Sequence, residues 1–164
     1  MSVKTNLVRG RRRLRFDSYG DVLFDAELIV AGESLLLGNW SLGQILHHLA
    51  LSMHASIDGL AVDVAWWRQM LARARYRQPM LAGPMPAGLK LPGDAAELLL
   101  PGPISAEGGL AELRAAVERL SFETERARHP LFGEMSLDEW DSFHLRHAEL
   151  HLSFALPVGV PALV

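Results

Sequence analysis

The residues of this chain that could bind a metal are its histidines, because the sequence contains no cysteine. Without thiolates, a metal site has to use His, Asp or Glu, and disulfides and a cysteine nucleophile are excluded. The seven histidines are His47, His48, His54, His129, His144, His147 and His151. His147 and His151 lie four residues apart, so on a helix they project from one face about a turn apart. Two imidazoles at this spacing can bind one divalent ion.

The face that carries this pair is also apolar, since it includes Trp140, Phe143 and Phe154. Two imidazoles therefore point into the protein, where each needs a partner. They are either core histidines with hydrogen bonds or metal ligands, and the residues alone leave both readings open. A third ligand from another helix would decide between them. His47 and His48 are the candidates, and spacing does not choose between them.

The elements that position these histidines are marked by capping motifs. Ser41 followed by Gln44 forms a capping box, which predicts a helix that ends at Asp58-Gly59. Ser136 followed by Glu139 repeats the pattern, and this last helix is predicted to run to about Phe154, with Pro157 preventing much further extension.

Apolar spacing predicts further helices. One begins at Asp17 or Ser18 and closes at Gly32, and another runs from about Leu110 to Arg128. A shorter amphipathic helix is predicted from about Val62 to Tyr76. No segment shows the period-two pattern of a strand. The expected fold is therefore all-α, a four-helix bundle with a short extra helix.

The connection from Gln78 to Ser105 is predicted to be a long loop, because it contains six of the nine prolines and four glycines. Structureless loops of this length are uncommon unless they cover something. We expect this loop to wrap across one end of the bundle.

The N-terminal segment differs in charge from the rest of the chain. Residues 1–15 contain six of the sixteen Lys and Arg residues and no acid, which leaves ten basic and nineteen acidic residues elsewhere. We therefore divide the chain into a basic arm (1–15) and a helical domain (16–164). Such an arm can contact nucleic acid. We favour a solvated or docked arm instead, because no aromatic residue interrupts the Arg cluster to stack on bases.

The apolar runs of the sequence are too short to predict a membrane location. None approaches the ~18 residues of a membrane span. Phe16-Asp17-Ser18 follows the arginines where an export signal needs an apolar stretch. We therefore predict a cytoplasmic protein that has no membrane partner.

Several motifs, in order along the chain, resemble one known family. They are Leu14 to Ser18, Gly38 to Ala50, Pro86 to Pro92, His129 to Gly133, Trp140, and His147 to Leu152. Together they resemble the DinB-like (DinB/YfiT) superfamily, and the Trp-Ser and His-Leu version of the first histidine motif is similar to that of the DUF1569 family. After His151 the chain lacks the Arg-Gln that is often found in the superfamily.

This resemblance implies a four-helix bundle with a central metal pocket. The pocket uses one histidine of the second helix and two, four apart, of the last. The corresponding residues here are His48, His147 and His151, and His47 is a neighbour. The resemblance also implies a low-molecular-weight thiol, which the metal activates for transfer to small electrophiles or for isomerisation.

The function expected from this set is a zinc- or nickel-dependent transferase or hydrolase that acts on a small molecule. Three neutral imidazoles leave a coordination position open, which is the catalytic pattern. The alternative is a non-catalytic helical bundle, a homodimer or partner-binding module whose tail from Leu152 to Val164 packs at an interface.

Other residues near the set have less specific roles. Gln44 could orient His48 from the second shell, although we prefer its capping role. We expect His144 at the edge of the bundle, with a fourth ligand or proton carrier as alternatives. His129 is interpreted as a packing residue, and Trp66 and Trp67 as core or interface residues. No general base is evident, because Glu149 projects to the opposite side of the helix from the histidine pair.

Overall fold

Serine caps define the beginnings of the main helices in the computed structural model, which describes residues 2–62, 64–88 and 95–159. Ser18, Ser41 and Ser136 each accept a hydrogen bond from the backbone N–H three residues on. In all three cases the side chain at that third position returns a bond to the cap, which completes a capping box. The boxes predicted at Ser41 and Ser136 are confirmed.

The regular elements follow one another along the chain as mostly helical structure with two short strands. In order they are α1 (Tyr19–Ala31), β1 (Glu33–Leu36), α2 (Leu42–Asp58), α3 (Trp66–Ala82), α4 (Ala95–Leu98), α5 (Ala106–Phe122), α6 (Leu137–Leu152) and β2 (Ala155–Val158). A single 3₁₀ turn, Thr5–Leu7, precedes them. The boundaries of α1, α2 and α6 lie within about two residues of the predicted ones, whereas α5 ends six residues before Arg128.

Four helices enclose the main apolar core. Helix α2 packs against α5 and α6, and α1 packs against the same two helices. Leu46 and Leu49 of α2, Leu113 of α5 and Leu152 of α6 are almost completely buried there. Burial of these apolar side chains is the main favourable contribution to folding of this region.

Two glycines allow α2 and α5 to approach at backbone distance. A Cβ atom on Gly109 would lie 2.4 Å from the Gly43 carbonyl oxygen. A Cβ atom on Gly43 would lie 2.3 Å from the Ile104 carbonyl oxygen. Since backbone atoms cannot move aside as a flexible side chain can, the pairing of these helices requires glycine at both positions.

A two-stranded sheet joins the segment after α1 to the segment after α6. β1 and β2 are antiparallel, with Glu33 opposite Val158 and Leu36 opposite Ala155. The expectation of no strands is wrong for these residues. Each strand has only four residues, too few for an alternating pattern to stand out, and their pairing joins parts of the chain that are distant in sequence.

Helix α3 is longer and more exposed than the sequence predicts. It continues to Ala82 and includes Pro79, so the connection that follows starts later than Gln78. Trp66 is 74% exposed and Trp67 47% exposed, which rules out a core role for them. Part of the predicted loop, residues 89–94, lies outside the described residues, as does the end of the predicted tail, residues 160–164.

A buried ion pair on α6 holds the chain before α1. Arg146 and Glu149 lie 2.7 Å apart and are both nearly inaccessible to solvent. The Phe16 N–H donates to Glu149 Oε1 at 2.6 Å, and Arg146 donates to the Phe16 carbonyl. Glu149 therefore faces away from His147 and His151, as predicted, and serves a structural role.

Part of the basic arm lies on the body of the protein. Arg12 makes two bonds to Asp25 of α1, at 2.6 and 2.7 Å, and its backbone N–H donates to the Ser153 carbonyl. Arg11 donates to the Ser153 hydroxyl. These contacts agree with a docked arm.

Among the helices that the structure describes, none combines the length and the apolar character that a membrane crossing requires.

The contact between Gly43 and Gly109 predicts a specific loss of stability. We expect Gly109→Ala to lower the free energy of unfolding by about 2 kcal/mol, because overpacking against rigid backbone outweighs the higher helix propensity of alanine. Urea denaturation measures this change. Gly20→Ala in α1 is the matched control, since its Cβ would meet only Ser18 Oγ at an ordinary 3.4 Å. Equal stabilities of the Gly109 variant and the wild type would contradict the packing argument.

Candidate metal centre

Helices α2 and α6 bring three of the seven histidines together. His48 projects inward from α2, while His147 and His151 project from one face of α6. One ring nitrogen of each lies within 4.8 Å of those of the other two. The ring centroids are 5.1 Å apart for His48 and His147 and 4.6 Å apart for the other two pairs. These are the three residues that the family resemblance implied.

The two nearest nitrogens have the separation of ligands on one ion. Nε2 of His48 lies 3.3 Å from Nε2 of His147. Two nitrogens bound to zinc at about 2.0–2.1 Å with a tetrahedral angle are themselves about 3.3 Å apart. A divalent ion therefore fits between this pair, and a ring nitrogen of His151 lies within 4.8 Å of both.

A backbone carbonyl fixes the orientation of the His48 ring. His48 Nδ1 lies 2.8 Å from the Leu99 carbonyl oxygen. Because a carbonyl only accepts, Nδ1 carries the proton and Nε2 presents its lone pair to His147 and His151. A hydrogen bond of this kind from the distal nitrogen is typical of histidine ligands.

Burial keeps all three imidazoles neutral. It is the main cause that lowers the pKa of His48 below its usual 6.5, although the bond to Leu99 opposes the shift. Burial also lowers the pKa of His147 and His151 well below 6.5, and the neighbouring imidazoles lower it further. A neutral imidazole has the free lone pair that a metal needs.

Trp40 covers one side of the cluster. Its ring stacks on His151, with centroids 5.5 Å apart and planes 16° apart, and it also contacts His48 at 4.7 Å. Trp40 lies within the first histidine motif, Gly38 to Ala50, but the sequence assigned it no role at the cluster. The sequence feature that could have indicated this contact is the position of Trp40, immediately before the Ser41 cap and seven residues before His47.

The predicted second-shell residues do not bond to the three histidines. Gln44 completes the capping box and donates to the Pro101 carbonyl, at 3.3 Å, so it holds the loop instead. Nδ1 of His47 is buried and has no partner among the described residues. Leu99 is the residue that orients His48. Because this contact uses the Leu99 backbone carbonyl, the residue type gave no sign of it.

His144 lies in the interior, so the expectation that it lies at the edge of the bundle is wrong. It is 1% exposed and stacks on Trp140 at 5.4 Å. Burial lowers its pKa to about 3, and neither ring nitrogen has a partner among the residues described. It is not part of the three-histidine cluster.

Two cavities border the cluster. The larger has a volume of about 710 Å³ and reaches all three histidines. The smaller, about 230 Å³, is bordered by Trp40, His151 and the turn at Thr5. His151 borders both, so this histidine can be approached from two cavities.

His129 belongs to the wall of the larger cavity and is held as a neutral ring. Its Nδ1 accepts hydrogen bonds from the N–H groups of Leu131 and Phe132, both at 3.1 Å. The ring also stacks on Phe132 at 4.5 Å. The interpretation of His129 as a packing residue is confirmed by these contacts.

The state of His129 predicts acid-sensitive stability. Burial, with the charge of Arg77 as a second cause, lowers its pKa from 6.5 to about 4. The unfolded chain binds a proton near pH 6.5 but the folded chain does not, so this contribution is complete above pH 6.5 and is lost as the pH falls toward 4. We expect a loss of about 3 kcal/mol from this residue at pH 4. Urea denaturation of the wild type and His129→Asn across this range measures it. If the free energy of unfolding of the variant falls with pH as steeply as that of the wild type, the assignment is wrong.

Comparison with known proteins gives one match. Searches of the curated proteins and of the solved structures found no similar protein. The model of one family, described as a protein of unknown function (DUF1569), matches residues 8–158, which include every residue of the cluster and most of both cavity walls. The chain therefore belongs to the DUF1569 family.

Proposed function

We propose that this protein is a metal-dependent enzyme of the DinB-like superfamily that binds one zinc or nickel ion through His48, His147 and His151. The observation that carries the proposal is the 3.3 Å separation of two imidazole nitrogens from different helices. His48 is buried and His147 and His151 are half-buried, so a shared ion would offer their lone pairs a partner where water has limited access.

The packing of α1, α2, α5 and α6 supports the same assignment. Each of α1 and α2 contacts both α5 and α6, a packing that suits a four-helix bundle. The ligands would come from the second of these four helices in chain order and from the last. This is the arrangement that the resemblance implies.

The reaction that we propose is thiol transfer to a small molecule, with hydrolysis as the closest alternative. A divalent ion with three histidine ligands lowers the pKa of a water or thiol that enters its open position. The protein itself would keep the imidazoles neutral, hold His48 through Leu99 and exclude water with Trp40. Two cavities that border His151 suit a reaction of two substrates. The predicted cytoplasmic location is the compartment where thiols stay reduced.

A partner-binding role is the second candidate function. Helix α3 exposes Trp66, Met70 and Leu71, each more than half accessible. Exposed apolar side chains that are close together favour an interface with a partner or with a second copy. If the histidines bind no ion, partner binding would be the remaining candidate function.

Metal binding tests the proposal directly. After chelation and dialysis, the full chain should take up one Zn²⁺ or Ni²⁺ ion, measured by elemental analysis and by titration. His147→Ala and His48→Ala should weaken binding by about 100-fold or more, because each removes one of three ligands. His47→Ala is the matched control, since it removes an adjacent imidazole that is outside the cluster. If the ligand variants bind the ions as tightly as wild type, the enzyme proposal is wrong.

A second experiment distinguishes thiol transfer from hydrolysis. With cobalt as the added ion, 2-mercaptoethanol should produce a thiolate-to-cobalt absorption band in the near ultraviolet. The His151→Ala variant should produce little of this band under the same conditions. A wild-type spectrum that thiol leaves unchanged would contradict the transferase and favour hydrolysis.

A further inference from the structure

The wall of the larger cavity is unusually rich in aromatic side chains. The five that line it are Trp40, Tyr76, Phe132, Trp140 and Phe143, and Met80 and Met85 add two flexible apolar chains. Flat, polarizable walls of this kind favour aromatic and other apolar ligands. A volume of about 710 Å³ is within the range of small-molecule sites.

The same wall has no Lys, Arg, Asp or Glu among the residues that the structure describes. Charged groups near it are already paired with other parts of the protein. Arg77 of α3 bonds to Glu139 at 2.6 and 2.7 Å, and Arg146 bonds to Glu149 on the opposite side of α6. Away from the three histidines, a ligand that carried a charge into this cavity would therefore lose water without gaining a counter-ion from the protein.

The polar groups of the wall suit a neutral ligand. Ser52 lies one turn beyond His48 on α2 and borders the cavity. Since Nδ1 of His129 accepts two backbone hydrogen bonds, its Nε2 carries the proton and can donate. Both groups can hold an uncharged acceptor such as a carbonyl or ether oxygen.

We propose that the substrate of the three-histidine site is an uncharged, largely apolar molecule with an aromatic body, held between the aromatic walls and bonded through a neutral oxygen to Ser52 or His129. This inference deepens the proposed function, on which it rests, because it assigns the substrate class of the same site. Apolar burial supplies the affinity, and the charge-free wall supplies the specificity.

A pair of dyes that differ by one charge tests the substrate class. N-phenyl-1-naphthylamine is neutral, and 8-anilinonaphthalene-1-sulfonate has the same aromatic body with one sulfonate. Both increase in fluorescence in apolar sites, so titration of the full chain, with and without Zn²⁺, gives their dissociation constants. For the chain without Zn²⁺, in which no bound cation attracts the sulfonate, we expect the neutral dye to bind one site and the anion to bind about 30-fold more weakly. An anion that binds as tightly as the neutral dye would overturn the proposal.

Matched variants on α3 place the dye in the cavity. Ala72 borders the cavity, whereas Ala74 on the same helix is exposed. Ala72→Trp should weaken binding of the neutral dye at least about tenfold by filling the space, while Ala74→Trp should change it by less than about twofold. Equal effects of the two variants would place the dye elsewhere and overturn the proposal.

A charge variant gives a second test should Ala72→Trp not fold. Met80 also borders the cavity, and Gln78 is exposed nearby on α3. Met80→Lys should reverse the preference toward the anionic dye, and Gln78→Lys should leave it unchanged. An unaltered preference in Met80→Lys would contradict the proposal.

Metal binding and dye binding can fail separately. A chain that binds the neutral dye but no Zn²⁺ would overturn the proposed enzyme and leave an apolar binding site. A chain that binds Zn²⁺ but, in the absence of the ion, prefers the sulfonate would overturn only the substrate class.

Discussion

The hydrogen bond between His48 and the Leu99 carbonyl is the constraint on which the candidate site depends. It assigns the ring proton to Nδ1 and so directs the lone pair of Nε2 toward the two imidazoles of α6. Without this bond the ring could adopt the other tautomer, with an N–H group facing the cluster. In the same segment, the Pro101 carbonyl accepts a hydrogen bond from the Gln44 side chain, so these few residues are held to α2 at two points.

Helix α6 serves two structural purposes on its two sides. One side carries His147 and His151, and the other carries the ion pair of Arg146 and Glu149 that holds the backbone of Phe16. A buried ion pair contributes little net stability unless its remaining groups are also bonded. Here one bond from Arg146 and one to Glu149 join the backbone of Phe16, just before α1, which fixes α1 and α6 relative to each other. The direction in which the histidines project therefore depends on the ion pair of Arg146 and Glu149, which lies on the other side of the helix.

Local signals in the sequence predicted the elements, whereas tertiary contacts decided the details that the sequence missed. The serine caps of α2 and α6 act over three residues, so they can be recognised in the sequence. The extent of α3 beyond Pro79 and the pairing of β1 with β2 depend on distant parts of the chain. For the site, the histidine pair was evident from its spacing, and the resemblance singled out His48. The Leu99 carbonyl and the burial of His144 could not be predicted, because backbone acceptors and interior positions leave no distinctive residue type.

The short sheet has a consequence for the alignment of the two ligand-bearing helices. β1 ends four residues before Trp40, and β2 begins four residues after His151. Each residue of a strand advances about 3.3 Å, so a slip of two residues in the β1–β2 ladder would displace the end of α6 by more than 6 Å. That displacement exceeds the 4.8 Å within which the three ring nitrogens lie. The register of these two four-residue strands therefore limits how far the end of α6 can shift relative to the start of α2.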